Sequence, residues 1–288
     1  MVTLALIFAA KGPCDAAALN QMLKTSGALD RPDVEVHVLG DSTTRLDPPL
    51  PEGVRLHLEA KPVSVFRLWG AGIARTSARY VAILDVQYVP TPDWLDTVLS
   101  RLEAQPTAFF GPVEPGYGAQ DMRMIGYLTE YVQFHRPIAE TMTEVAGANL
   151  VLLRALTGDP ADLAAHGFVK TALLSQMQPE LANDCLAIHH KALAHGPYQR
   201  RRFRHGRAYA AHRLTLPGAP PRLAAALFTP LLPFVRVARI YRHAQRVETC
   251  RAAFARFWPH LLWVEAGWSA GECFGYLTGR GGDERLID

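Results

Sequence analysis

Gly72-Ile-Ala-Arg-Thr-Ser-Ala-Arg-Tyr80-Val-Ala-Ile-Leu-Asp85-Val-Gln87-Tyr-Val-Pro90-Thr-Pro-Asp-Trp94 is the stretch from which the rest of the sequence is read. Tyr80 to Leu84 is an unbroken apolar run with β-branched members, the pattern of a strand covered on both faces of a parallel sheet. The run stops at Asp85. Pro90 and Pro92 then mark a turn before a helix that opens near Asp93 and Trp94. A carboxylate that closes a central strand lies on the edge where open α/β sheets bind their ligands. A turn-capping role accounts for Asp85 equally well, so its neighbours in the chain decide the reading.

Upstream, Val2 to Ala9 reads as a buried strand that ends in Lys11-Gly12-Pro13, a loop able to approach a ligand. Asp15 caps a helix with Leu19, Met22 and Leu23 on its apolar face, and Gly27 closes it. Val34 to Leu39 is a second strand ending in Gly40-Asp41-Ser42-Thr43, and Val54 to Leu58 is a third. Ser64 caps a helix that turns Val65, Leu68, Trp69 and Ile73 toward the sheet. The order β-α-β-β-α-β predicts a doubly wound, mostly parallel α/β sheet.

Downstream, a helix over 93–104 precedes a strand at Thr107 to Phe110 and an aromatic-rich helix within Tyr117 to His135. Gly147-Ala148-Asn149 leads into the strand Leu150 to Leu153. A helical region is expected from Asp159 to Cys185, followed by a basic block from Gln199 to Arg213. After Pro217 the composition shifts. Leu223 to Ile240 is apolar, broken by Pro230 and Pro233 and flanked by arginines, and Phe254 to Tyr276 carries three tryptophans. Two domains are therefore expected, 1–215 and a helical extension over 216–288.

With 49% apolar and 20% charged residues the chain has ample means to form a core, which excludes a disordered protein. A net charge of +3 is too mild to argue for nucleic acid, and no nucleic-acid-binding motif is present. The four cysteines lack metal or disulfide spacing, which points to a reducing, cytoplasmic compartment. The apolar N-terminus has no basic segment before it and reads as a strand rather than a signal peptide.

Three features coincide: an Asp closing the fourth strand, a Gly-Ala-Asn before a later strand, and a late basic-aromatic block. Together they resemble the family 2 glycosyltransferases of the GT-A fold over residues 1 to about 215. The pieces that carry the resemblance are Gly72-Ile-Ala-Arg75, Tyr80 to Trp94, Gly147 to Arg154 and Phe203-Arg-His-Gly-Arg207. The resemblance implies a nucleotide-sugar donor bound across the strand ends and a sugar passed to an acceptor hydroxyl. It also implies Mg²⁺ or Mn²⁺ on an Asp-x-Asp motif, because a hard cation neutralises the charge that develops on a departing nucleoside diphosphate.

Here that motif reads Asp85-Val86-Gln87. An amide oxygen at Gln87 ligates without formal charge, so metal affinity is expected to be low. His195 stands where the family often has a further ligand. The family's general base usually follows a Gly-Phe turn; after Gly167-Phe168 this sequence has Lys170, which is protonated at neutral pH and cannot take a proton. Asp184 and Glu180 are the replacement candidates. Asp41 matches a nucleoside contact, and Arg67 suits a phosphate by its forked guanidinium. The resemblance places Gly147, Ala148 and Asn149 on the acceptor side, with Glu130 and Tyr131 nearby.

Residues 222–276 are expected to meet a membrane surface peripherally, at its inner face, or a second copy of the chain. Besides an active inverting transferase with a lipid-linked or cell-envelope acceptor, the departures at Gln87 and Lys170 leave open a degenerate protein that only binds a nucleotide-sugar or a partner. A plain nucleotidyltransferase lacks its usual N-terminal Gly-rich signature here.

Overall fold

The computed structural model describes residues 2–139, 142, 144–159, 178–191, 195–216 and 218–281. The chain forms two compact units, one of Met1–Gly116 with Phe134–His190, the other of Tyr117–Gln133 with Lys191–Asp288. The second unit thus takes in the segment 117–133 and begins at Lys191, upstream of the division expected at 215.

In the first unit the elements are β1 (Leu4–Ala9), β2 (Pro13–Asp15), α1 (Ala17–Thr25), β3 (Val34–Asp41), β4 (Arg45–Asp47), β5 (Arg55–Glu59), α2 (Val65–Ala74), β6 (Tyr80–Asp85), β7 (Tyr88–Pro90), α3 (Trp94–Glu103), β8 (Ala108–Phe110) and β9 (Val113–Pro115). After α4 (Met124–Glu130), which belongs to the second unit, come β10 (Leu150–Leu153), β11 (Glu180–Leu181) and β12 (Ala187–His189). The main sheet runs β11-β8-β10-β6-β1-β3-β5. β5, β3, β1 and β6 are mutually parallel, while β10 runs antiparallel between β6 and β8. Every residue of β1 and β6 is buried, as expected of central strands with both faces covered.

The helices hold this sheet as their sequences imply. Ser64 Oγ accepts from the Arg67 N–H at 3.4 Å and caps α2, and Trp69 Nε1 on the same helix donates to the Leu84 carbonyl at 2.7 Å. Asp15 Oδ1 accepts from the Ala17 N–H at 2.9 Å, so it caps α1 from just before the N-cap residue, and Gly27 follows in the left-handed region. Two expectations need correction. Tyr88–Pro90 is not only turn but the short strand β7, folded back on β6 and paired with β12. Within 159–185, the described residues 178–185 are strand and turn rather than helix; 160–177 lie outside the described residues.

The second unit contains α4, α5 (His195–Arg213), α6 (Arg222–Phe228), a 3-10 turn at Thr229–Leu231, α7 (Leu232–Ala244) and α8 (Glu248–Thr278), which continues through Pro259. Its core joins Met124, Tyr127 and Leu128 of α4 to Phe257, Leu261 and Val264 of α8. It also buries charge. Arg202 pairs with Glu265 at 2.7 Å, and Arg202 and Arg236 both lie against the Trp268 ring. Trp268 Nε1 and the Tyr276 hydroxyl donate to Glu272 at 3.0 and 3.1 Å. Pairing and hydrogen bonding offset the cost of keeping these ions out of water.

Candidate functional site at the strand ends

Sheet register fixes the site. Ala9 is level with Leu39 on one side and Asp85 on the other, so the carboxyl ends of β3, β1 and β6 form one edge. Asp41 lies two residues beyond Leu39 and two strands from Asp85, a lateral separation of about 10 Å. The N-terminus of α2 approaches this edge, because the Val63 N–H donates to Asp41 Oδ2 at 3.0 Å one residue before the cap.

Asp85 is buried, and its Oδ1 accepts from the Gln87 N–H at 2.8 Å. Asp85 pairs with Tyr88, so Val86-Gln87 is the two-residue turn of a hairpin. The Val86 N–H donates to the Ala9 carbonyl at 3.0 Å and the His190 N–H to the Gln87 carbonyl at 2.7 Å, which clamps the turn from both sides. Gln87 Nε2 donates to Cys14 Sγ of β2 at 3.8 Å. β12 lies antiparallel on β7, and the buried ring of His189 meets Tyr88 edge-on at 4.8 Å between centroids.

Asp41 is completely buried. Its Oδ1 accepts from the Thr43 N–H at 2.8 Å and the Thr43 hydroxyl at 2.5 Å, so it orders the loop Ser42–Thr44. The Thr44 hydroxyl accepts from the Asp41 N–H and donates to the Ala10 carbonyl at 2.8 Å. Asp41 therefore shapes the edge by holding two loops together. Arg67 sits in the first turn of α2, half-buried.

Among the other first-unit candidates, Leu150 is level with Ile83, so Asn149 and Ala148 just before it fall at this same end of β6 on the neighbouring strand, whereas Glu180 does not. Glu180 is exposed on β11; register puts it in line with Phe109, Val151 and Ala82, three strands or about 14 Å from β6. Asp184 Oδ1 accepts from Arg101 Nε and Nη2 of α3 at 3.0 and 2.6 Å. Burial opposes the charge on Arg101, but this contact outweighs it and raises the guanidinium's affinity for its proton. The Asn149 amide is fully engaged within the first unit. Trp94 Nε1 donates to its Oδ1 at 3.0 Å, and its Nδ2 donates to the Pro112 and Cys185 carbonyls at 2.9 and 2.7 Å. Ala148 is buried beside it.

Glu130 and Tyr131 belong to the second unit, where Glu130 accepts from the Tyr198 hydroxyl and pairs with Arg201 at 3.2 Å. His195 is the first residue of α5, also in the second unit. Gly167, Phe168 and Lys170 lie outside the described residues.

Among the described residues no three His, Cys, Asp or Glu side chains gather as a metal cage. One carboxylate beside an amide suits Mg²⁺ or Mn²⁺ only where a ligand's phosphate oxygens complete the shell. The donor set fits a cation shared with a bound diphosphate and does not fit one held by protein alone. Sequence reading missed Cys14, His189 and His190 at the turn. Their signal was a His-His pair directly after an apolar dipeptide; its partner strand, β7, was not recognised.

The fold and edge define an α/β protein with a buried carboxylate in a tight turn at the ligand-binding side of a parallel sheet. Against solved structures, the chain is similar to a mannosyltransferase of Pyrobaculum calidifontis in complex with GDP-Man and Mn²⁺, with 17% identity, TM-score 0.45, and coverage of 89% of this chain and 75% of that one. It is similar to residues 1–349 of S. aureus TarS in complex with UDP-GlcNAc, with 11% identity, TM-score 0.46, and coverage of 96% and 91%. A third is glucosyl-3-phosphoglycerate synthase from Mycobacterium tuberculosis with Mn²⁺, UDP-Glc and phosphoglyceric acid, with 14% identity, TM-score 0.40, and coverage of 67% and 73%. No family model and no curated protein sequence matches the chain.

Proposed function

We propose that the chain is a glycosyltransferase of the family 2 type, passing a sugar from a nucleotide-sugar to an acceptor hydroxyl with inversion, the acceptor being lipid-linked or part of the cell envelope. The observation that carries this reading is Asp85, a buried carboxylate in a clamped two-residue turn, level with the ends of β1 and β3. The nucleoside meets the loop ordered by Asp41, and the diphosphate lies between the turn and the first turn of α2. Arg67 and the α2 N–H groups face its charge there. Asp85 and Gln87 would hold a divalent cation, which would supply charge neutralisation to the leaving diphosphate.

In the transfer itself, the acceptor oxygen forms a bond to the anomeric carbon as the bond from that carbon to the diphosphate oxygen breaks. The electron pair leaves with the nucleoside diphosphate, and the acceptor's proton passes to a carboxylate. We assign that proton to Asp184 ahead of Glu180, because Glu180 lies three strands from β6 and short of its carboxyl end, whereas Asp184 follows β11 toward that end once Arg101 releases it.

That hold on Asp184 also favours a second reading, a protein that binds the donor and does not transfer. Calorimetry and product analysis with UDP-, GDP- and TDP-sugars, with and without Mn²⁺, separate the two. The expected result is binding of one nucleotide class and slow transfer. Asp85→Asn should lower transfer by about 10²-fold or more, the scale of a lost metal-diphosphate contact. Asp184→Asn should lower transfer by about 10²-fold or more while donor binding persists. Binding without transfer in the parent establishes the second reading, and no binding of any nucleotide-sugar under either condition ends both.

A further inference from the structure

The exposed side of α6 and α7 is unlike the rest of the second unit. Leu223, Leu227, Leu231 and Phe234 recur at helical spacing, with Phe228 and Val235 one position further on; all six are large, apolar and more than half exposed. The opposite side is packed: Ala226, Thr229, Pro233, Ile240 and Ala244 are buried. Arg222 fixes α6 by donating to the Tyr276 and Leu277 carbonyls at 3.0 and 2.9 Å. Toward the end of α7 the exposed side becomes Arg239, Tyr241 and Arg242. From Arg222 to Val247 there are five arginines and no Asp or Glu.

We propose that this face docks on an anionic phospholipid bilayer, with Leu223, Leu227, Phe228, Leu231 and Phe234 entering the acyl boundary and Arg239 and Arg242 at the phosphates. Charge selects this occupant. A two-fold contact with a second copy sets two wholly basic segments against each other, whereas lipid phosphates complement them. Arg222–Ala244 is long and apolar enough to cross a membrane by length and composition. Its inner side is packed against its own unit, however, and Pro230 and Pro233 interrupt the backbone ladder between α6 and α7. An apolar stripe on one side with arginines and a tyrosine at its end is the arrangement of a helix pair lying in the interface. The inference stands apart from the proposed transfer, since no donor enters it.

The test is flotation of the full chain, without nucleotide, on vesicles of phosphatidylcholine alone or mixed with phosphatidylglycerol. Binding is expected on the mixed vesicles. Raising salt from about 0.1 to about 0.5 M should weaken it, because the Debye length shortens. The Leu227→Glu/Phe234→Glu pair should lower partitioning at least about tenfold, and Arg239→Glu/Arg242→Glu should remove the preference for anionic lipid. All four positions are exposed, so folding is retained, as circular dichroism of each variant should show. Failure to float on either vesicle overturns the proposal, as does equal flotation of Leu227→Glu/Phe234→Glu. A concentration-dependent dimer in free solution that Leu227→Glu dissolves assigns the face to a second copy and equally overturns it.

Discussion

Three hydrogen bonds converge on the amide of Asn149, and all three partners are buried polar groups from distant parts of the chain. Asn149→Ala strands the Trp94 N–H and the Cys185 carbonyl, while the Pro112 carbonyl keeps the Ala187 N–H at 3.1 Å, so a loss of about 2 kcal/mol in unfolding free energy is expected by denaturant titration. A loss under about 1 kcal/mol contradicts that role. A second expectation concerns His37. Burial lowers its pKa from 6.5, Glu35 works against that shift, and Arg55 and His57 add to it. His57, 3.2 Å away, is likewise lowered by burial, with Arg75 and Arg55 contributing and Glu59 opposing. Both imidazoles bind protons less readily when folded, so their stability is complete above about pH 6.5 and lost as pH falls toward the folded values. Glu35 does not offset this: burial disfavours its charge, but Thr76, His37 and Arg55 hold its pKa below 4.5, so its own contribution is lost only at lower pH. Melting temperature should fall between about pH 7 and pH 5, and His37→Gln should flatten that slope; an unchanged slope refutes the assignment. Asn149 was legible in the sequence as part of a loop before a strand. The destination of its amide was not, because Trp94, Pro112 and Cys185 become its neighbours only when β10 inserts between β6 and β8.

Helices α5 and α8 touch through backbone. A Cβ added at Gly271 falls 1.9 Å from the Phe203 carbonyl oxygen, one at Gly275 falls 2.5 Å from that of Arg207, and one at Gly206 falls 2.1 Å from that of Trp268. The spacing Gly267, Gly271, Gly275 puts three glycines on one side of α8, which lets the helices approach this closely. Gly271→Ala has no flexible side chain to displace, so about 2 kcal/mol or more of destabilisation is expected. A neutral Gly271→Ala in thermal unfolding disproves the close packing. Sequence reading was uneven among such elements. Leu4–Ala9 and Tyr80–Asp85 announced themselves because central strands buried on both faces must be continuously apolar. β7, β11 and β12 are two or three residues long and owe their form to pairing partners far along the chain, so no local period marks them. The break at Pro230 was readable, and Pro259, a residue that disfavours helix interiors, is carried inside α8.

Each unit has its own core, one around Leu4, Leu6, Phe8 and Trp94, the other around Tyr127, Phe257 and Leu261. The two proposed contacts fall on different units: the donor on the strand ends of the first, the bilayer on α6 and α7 of the second. Hydrogen exchange distinguishes them on one sample. A bound nucleotide-sugar should slow exchange at the amides of Ala10, Thr43, Val63, Val86 and Gln87, where loop N–H groups line or brace the edge. Anionic vesicles should slow Leu223 to Tyr241 and leave those five positions unchanged. Thr43 and Val63 are the informative pair, since they donate to the two different oxygens of Asp41: a nucleoside at this loop must protect them together, and Asp41→Asn, which turns one acceptor oxygen into a donor, should raise exchange at whichever of them faces the new amide NH2 even without ligand. Protection of Val86 and Gln87 alone leaves a diphosphate site without a nucleoside site, and protection at none of the five by any donor removes the strand-end edge as the binding surface.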